Sequence, residues 1–409
     1  MKIQDVEAFV VRAPLEGAKP HWGAGFWSSD PQAHPGLPAD HPGDVTTEYP
    51  PIWRFRALYA NSLDAVVVRV TTDSGLVGWG EAHTPVAAEA SQAIIEHLLT
   101  PVVYGRDPLD IQPIWELMYS TMRMRGHNSG FMLEAMSGID IALWDIAGQA
   151  LGVPAAKLMG GQMRDRIPVY ASSLPRVHVA AGEVGWRGLA EAAATLAAEG
   201  YRCIKVKLGI DIEQDRHALR VLREAVGPAV ALAVDVNGAY DLALARMAGR
   251  MLEEEGALWL EEPLMPENVR GYAQLAQTLD IIVATGECLD NRWIFNDYLA
   301  AGGLDLAQPD VSRAGGISES KRISDLCDLY GVPFAPHISI GTAIYMAASL
   351  QWAAAGPNLM MCEWPLEQSA VGNGILDEPF DFDRGYVRLS ERPGLGIVVD
   401  EDALRKWAV

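Results

Sequence analysis

The chain has 409 residues, an apolar fraction of 49% and a formal charge of −21. That length exceeds one ordinary core and predicts about two domains. The acidic balance argues against a nucleic-acid backbone or an anionic membrane as partner, but not against a small anionic substrate held by a local cationic site.

No apolar run approaches the ~20 residues of a membrane span. The opening residues, Met1-Lys2-Ile3-Gln4-Asp5-Val6-Glu7, put acids where a signal peptide needs an apolar stretch. A cytoplasmic location is therefore expected. Cys203, Cys288, Cys327 and Cys362 lack paired metal spacing and read as free thiols.

Lys2–Arg12 and Leu63–Thr72 read as strands, and Leu76–Glu81 as the return arm of a hairpin after the turn Asp73-Ser74-Gly75. Between the first two lies a Pro- and Gly-rich segment, about 14–51, too long for an ordinary loop. It is either a ligand-covering lid or a disordered insertion, and its aromatic content favours the lid. His21 and Trp22 are its candidate substrate contacts. Helical patterns follow over Ala87–Leu99, Ile111–Met122 and Phe131–Leu151, the last stopped by Gly152-Val153-Pro154. Strands followed by helices, without alternation, predict an N-terminal α+β domain over 1–150.

From Ile167 strand and helix alternate. Strands are expected at Val169–Ser172, Arg202–Lys207, Ala229–Val234, Ala257–Leu260, Ile281–Ala284, Leu304–Gln308, Pro333–Ala335 and Leu359–Cys362, joined by seven helices. Such βαβ repetition predicts an α/β domain over 160–365, a modified TIM barrel of (β/α)7β type. The segment 380–409 then reads as strand-turn-strand (Tyr386–Leu389, Gly396–Val399), returning to the N-terminal domain as extra strands.

Every barrel strand from the second onward ends in a polar residue: Lys205 and Lys207, Asp235 and Asn237, Glu261, Glu287, Asp310, His337 and Glu363. Strand C-termini share one mouth. One acid there is ordinarily a solvated helix cap. Three on consecutive strands would repel by several kcal/mol, on the order of Coulomb energies at an effective dielectric of ~20. A divalent cation is the natural compensation, and all-oxygen ligands at Asp235, Glu261 and Glu287 favour Mg²⁺ over zinc. The two lysines either pair with those acids or act on a substrate, Lys205 on its carboxylate and Lys207 as base. Asp310 and His337, on adjacent strand ends, suit a carboxylate that orients an imidazole. Glu363 and Asn237 are candidate substrate partners.

Together these residues, with Ala135-Met136-Ser137-Gly138-Ile139-Asp140-Ile141-Ala142-Leu143-Trp144-Asp145 on the helix before the barrel, resemble the enolase superfamily, mandelate racemase subgroup. The resemblance spans nearly the whole chain. It implies Mg²⁺-dependent removal of the proton beside a carboxylate, with Lys207 and His337 as acid/base groups, and an ene-diolate intermediate. Glu287 and the His–Asp pair point to the racemase-like branch. Asn237 departs from the D-x-H of some acid-sugar dehydratases. The expected activity is dehydration of an acid sugar (an aldonate or aldarate) to a 2-keto-3-deoxy acid. A racemase or epimerase, or a lactone cycloisomerase, stands as the alternative through the same intermediate. A metal-free Schiff-base aldolase using Lys205 or Lys207 stands as a remote one. Family members are often dimers or octamers, so a homo-oligomer is expected.

Overall fold

The structure, a computed structural model, describes residues 1–14, 62–174, 182–209, 212–339, 341–366 and 371–409. The predicted lid beyond Pro14, including His21 and Trp22, lies outside the described residues.

Strands β1 (Ile3–Pro14), β2 (Ser62–Thr72) and β3 (Val77–Ala82) form one antiparallel sheet in that order. The β-branched run of β2 is buried on both faces. Val66, Val68 and Val70 join the core under the cap helices, whereas Leu63, Ala65 and Val67 join the core of the barrel side. Two covered faces explain the absence of polar alternation. Helices α1 (Ala88–Ile94), α2 (Thr100–Val103), α3 (Ile111–Arg123) and α4 (Phe131–Leu151) follow, α1 and α2 being linked by a π-helical turn at Ile95–Leu99. Helix α4 is buried over most of its length. It packs on β3 so closely that a Cβ at Gly80 would collide with the carbonyl of Gly138. Two glycines meeting there let helix and sheet touch backbone to backbone.

After α5 (Ala155–Leu158) comes the barrel: β4 (Arg166–Leu174), α6 (Gly182–Ala198), β5 (Cys203–Lys207), α7 (Ile212–Val226), β6 (Ala231–Asp235) and α8 (Leu242–Glu254). It continues through β7 (Trp259–Glu261), α9 (Val269–Thr278), β8 (Ile282–Thr285), α10 (Arg292–Ala301), β9 (Leu306–Ala307), α11 (Ile317–Leu329), α12 (Ala343–Ala355) and β10 (Cys362–Pro365). Strands β4 to β9 are parallel in sequence order, and β10 pairs with β4 to close the ring. The expected seventh strand is reduced to parallel bridges, Ala307↔Phe334, Phe334↔Leu359 and Asp310↔His337. Pro333 and Pro336 flank it, and neither can donate to a ladder. Tyr170, Cys203, Ala233, Trp259, Ala284, Leu306 and Ala335 fill the barrel interior. The fold is thus an α/β barrel of (β/α)7β type with an N-terminal α+β cap.

The tail differs from expectation in its pairing. Strands β11 (Asp381–Asp383) and β12 (Tyr386–Arg388) form a hairpin whose second arm pairs antiparallel with the start of β4, not with the cap sheet. Gly396–Val399 is not a strand; Val399 makes a single bridge to Leu376. The tail reaches the cap farther on. After α13 (Glu401–Arg405), Ala408 bridges Val11 and Arg405 pairs with Glu7 at 2.7 Å. Among the described residues no helix is long and apolar enough to cross a membrane. All four cysteines are free, three of them buried.

Candidate active site

Strand register sets the floor of the site. Lys207 pairs across the sheet with Asp235, and Asp235 with Glu261, so the three strand ends lie level. Glu287 comes from the turn after β8. Gly286 before it has φ +152, and a Cβ there would lie 2.6 Å from the backbone of Gln308. Only glycine lets this turn pass so near β9 and aim Glu287 inward. Carboxylate oxygens of Asp235, Glu261 and Glu287 all come within 4.8 Å of one another.

The lysines pair with these acids, as the bland reading of the sequence allowed. Lys205 is fully buried, with Nζ 2.6 Å from Glu261 Oε1, 2.7 Å from Glu363 Oε1 and 3.7 Å from Asp235 Oδ2. Burial opposes its charge, but Glu261 and Glu363 outweigh it and hold the ammonium well above its usual range. Lys207 donates to Asp235 Oδ2 and, at 3.1 Å, to Asn237 Oδ1. Burial in turn pushes Glu261 up to about 7 despite Lys205.

Across the mouth, His337 Nδ1 lies 2.7 Å from Asp310 Oδ2, and Nε2 lies 3.0 Å from Glu287 Oε2. The second contact is not aligned as a hydrogen bond, so Glu287 Oε2 is buried without a partner of that kind. Burial disfavours the imidazolium, yet Glu287, Glu363 and Asp310 hold His337 well above its usual range. Reciprocally, burial raises Glu287 but His337 and the lysines hold it well below. Glu363 accepts from Ser172 Oγ, from the Ile338 amide at 3.1 Å and from Lys205. Asn237 donates to Glu262 Oε2 at 3.2 Å, and its amide donates to Asp235 Oδ1 at 2.9 Å.

Several neighbours escaped the sequence reading. Gln308 donates to Glu261 Oε2 at 2.7 Å, and Tyr345 OH donates to Asp310 Oδ2 from the first turn of α12. His83, at the end of β3, stacks on Tyr345 with ring centroids 5.5 Å apart. Asn237 and Glu262 both hold positive φ (+44 and +45). Such strain costs about 1–3 kcal/mol per residue and gathers at functional sites. Gln308 precedes Pro309-Asp310 and was open to notice; Tyr345 lies in an apolar helical run with no local signal.

The all-oxygen donor set and its spacing fit a hard divalent cation. The same acids also have cationic neighbours in Lys205, Lys207 and His337, which balance the carboxylates without an ion.

The cap and barrel correspond to two known families. Residues 56–160 match the mandelate racemase / muconate lactonizing enzyme N-terminal domain, and residues 188–403 match the enolase C-terminal domain-like family. The chain is 34% identical over 356 residues to a D-galactarolactone cycloisomerase of Agrobacterium fabrum, covering 84% of this chain and 90% of that one. It is 33% identical over 361 residues to a D-xylonate dehydratase of Haloferax volcanii, covering 84% and 85%. A crystal structure of a racemase from Streptomyces coelicolor A3(2) with bound magnesium superposes with a TM-score of 0.80 at 25% identity, covering 100% of both chains.

Proposed function

The chain belongs to the mandelate racemase subgroup of the enolase superfamily, and from that premise we propose that it is an acid-sugar dehydratase removing the proton beside a carboxylate. One observation carries the reading: three strand-end carboxylates converge within 4.8 Å, with Lys207 on one flank and the His337–Asp310 pair on the other.

Asp235, Glu261 and Glu287 would hold Mg²⁺, which when bound supplies Lewis-acid stabilisation of the charge developing on the substrate carboxylate. Lys205, clamped by Glu261 and Glu363, adds a fixed positive charge to the same end of the site. Lys207 and His337 reach the mouth from β5 and from the segment between α11 and α12, so either can take the α-proton. Asp310 accepts from His337 Nδ1, which leaves Nε2 as the atom that exchanges protons. In dehydration His337 Nε2 gives a proton to the β-hydroxyl as its C–O bond breaks, water departs, and the enol tautomerises to a 2-keto-3-deoxy acid. Named relatives that are acid-sugar dehydratases support this outcome.

The 34% identical cycloisomerase favours a second reading, in which proton return replaces loss of water. The Schiff-base reading has less support. Lys205 is fully buried between carboxylates, which keep it protonated and away from a carbonyl.

The test is incubation with Mg²⁺ and a panel of aldonic and aldaric acids in D₂O, reading 2-keto acid and α-deuterium together. Keto-acid formation that EDTA abolishes is expected. Deuterium exchange without keto acid replaces dehydratase by epimerase or cycloisomerase, and neither signal refutes the reading.

A further inference from the structure

Strand β3 of the cap ends against the two barrel segments that carry Asp310 and His337. Glu81, its last residue but one, is fully buried. The Thr342 amide is shared between the two Glu81 oxygens, at 3.2 and 3.1 Å, and the Thr342 hydroxyl donates to Oε2. The Tyr345 amide also favours the ionised form of Glu81. Thr342 is the N-cap of α12, and its own hydroxyl accepts from the Ile344 amide at 3.2 Å. The helix therefore has a side-chain cap within the barrel, and the cap-domain carboxylate is a second hold on the same turn.

That turn presents Tyr345. Its hydroxyl donates to Asp310 Oδ2, accepts from the Ser339 amide at 3.1 Å and lies 3.2 Å from the His337 carbonyl. Asp310 Oδ2 is also the oxygen that meets His337 Nδ1 at 2.7 Å, while Oδ1 accepts from the Ser312 amide at 2.8 Å. The Asp310 carboxylate is thus fixed at both oxygens, and with it the plane of the imidazole. Gly341 shows how closely Glu81 and Tyr345 are packed. A Cβ there would lie 2.8 Å from Glu81 Oε1 and 2.4 Å from the Tyr345 ring. Two residues beyond Glu81, the His83 amide donates to the Ser312 carbonyl at 3.2 Å, and its ring stacks on Tyr345.

We propose that Glu81 is a positioning residue for the proton-handling pair. By holding Thr342 and the first turn of α12, it sets the Tyr345 hydroxyl on Asp310 and so the direction in which His337 Nε2 faces. The inference rests on the acid-sugar reading above and adds a residue of the cap to its machinery. Without the Glu81 carboxylate the turn keeps its own cap but loses its tie to β3. Tyr345 then drifts from Oδ2, and Asp310 retains only the Ser312 amide and the imidazole itself.

The experiment is a double-mutant cycle of wild type, Glu81→Gln, Tyr345→Phe and the two together, on an acid that wild type turns over with Mg²⁺. Keto acid or α-deuterium is the readout. Glu81→Gln keeps the shape but sets an amide NH₂ against the Thr342 donors. It is expected to lower kcat by about 10- to 100-fold, the scale of misplacing a reacting group, with KM nearly unchanged. In the Tyr345→Phe background the same change should cost less than about 3-fold, because the hydroxyl it positions is gone. Equal losses in the two backgrounds overturn the proposal, since they mark a cap–barrel tie that loosens the whole site. So does a loss carried by KM, or no loss at all. If Glu81→Gln does not fold, Glu81→Asp, which keeps the charge and shortens the reach, takes its place in the cycle. Absence of both keto acid and α-deuterium with every acid refutes the acid-sugar reading itself, and this inference with it. Turnover with an additive cycle refutes the inference alone.

Discussion

Replacing Lys205 by methionine tests the electrostatics of the site without any substrate. The change keeps a linear apolar side chain in the barrel but removes the cation lying 2.6 Å from Glu261 and 2.7 Å from Glu363, both themselves buried. Breaking one partner out of a buried ionic cluster costs about 3–5 kcal/mol. With an unfolding entropy of ~2.1 cal/mol/K per residue, a chain of 409 residues loses about 4–6 °C in melting temperature. The loss has a pH signature. Without Lys205 both carboxyls titrate above their unfolded value, so their contribution is intact below that value and disappears as pH rises through the folded one. The assay is melting of wild type and Lys205→Met in EDTA at pH 6 and pH 8, with a larger gap expected at pH 8. Equal stability at pH 8, or a gap that does not change with pH, refutes the account of Lys205 as the compensating charge.

Tyr345→Phe removes the hydroxyl that donates to Asp310 while keeping the buried ring. A lost bond to a charged acceptor predicts a fall in kcat of about 10- to 100-fold with KM nearly unchanged, and steady-state kinetics on a turned-over acid checks it. Asp140 is buried, and burial pushes it up to about 7 even though it accepts from the Ser318 amide and hydroxyl. Its favourable contribution is therefore complete below its unfolded value and lost as pH climbs through about 7. Asp140→Asn should be most destabilising near pH 5 and least near pH 8 in paired melting curves; a constant difference contradicts the shift. Gly286→Ala must push a methyl group against the Gln308 backbone. Overpacking of about 1–3 kcal/mol is the minimum cost, with loss of Mg²⁺ binding by calorimetry as Glu287 is re-aimed.

Much of the fold was legible because its periodicities are strong. Strand-helix alternation from Ile167 and the Gly152-Val153-Pro154 stop after α4 both follow from local chemistry. The strand-end set from Lys205 to Glu363 was legible for the same reason, since a barrel converts one position per repeat into one mouth. What remained hidden depends on tertiary neighbours. Tyr345 contacts Asp310 because α12 begins just beyond His337, and no spacing in an apolar helix announces that. The hairpin β11–β12 joins β4 and not the cap because β4 has a free edge at Arg166–Pro168, a fact about closure of the ring. The segment Ala135–Asp145 illustrates both sides. Its pattern was recognisable, but the reason for its residues was not: Ser137 accepts from the Gly315 amide, Asp140 from Ser318, and Asp145 from Trp79 and Leu395.

Those last contacts have a bearing on engineering. Helices α3 and α4 and strand β3 fasten onto the segments that begin α11 and α12: Trp115 Nε1 of α3 bonds the Gly315 carbonyl, Trp144 of α4 bonds Ser318, and Glu81 of β3 receives the Thr342 amide and hydroxyl. These are the same segments that carry Asp310 and His337 at their other ends. A chimera that transplants a foreign cap onto this barrel therefore inherits mismatched polar sockets directly behind the proton-handling pair. Exchange between relatives should move residues 310–318 and 337–345 together with α3, α4 and β3, as one cassette.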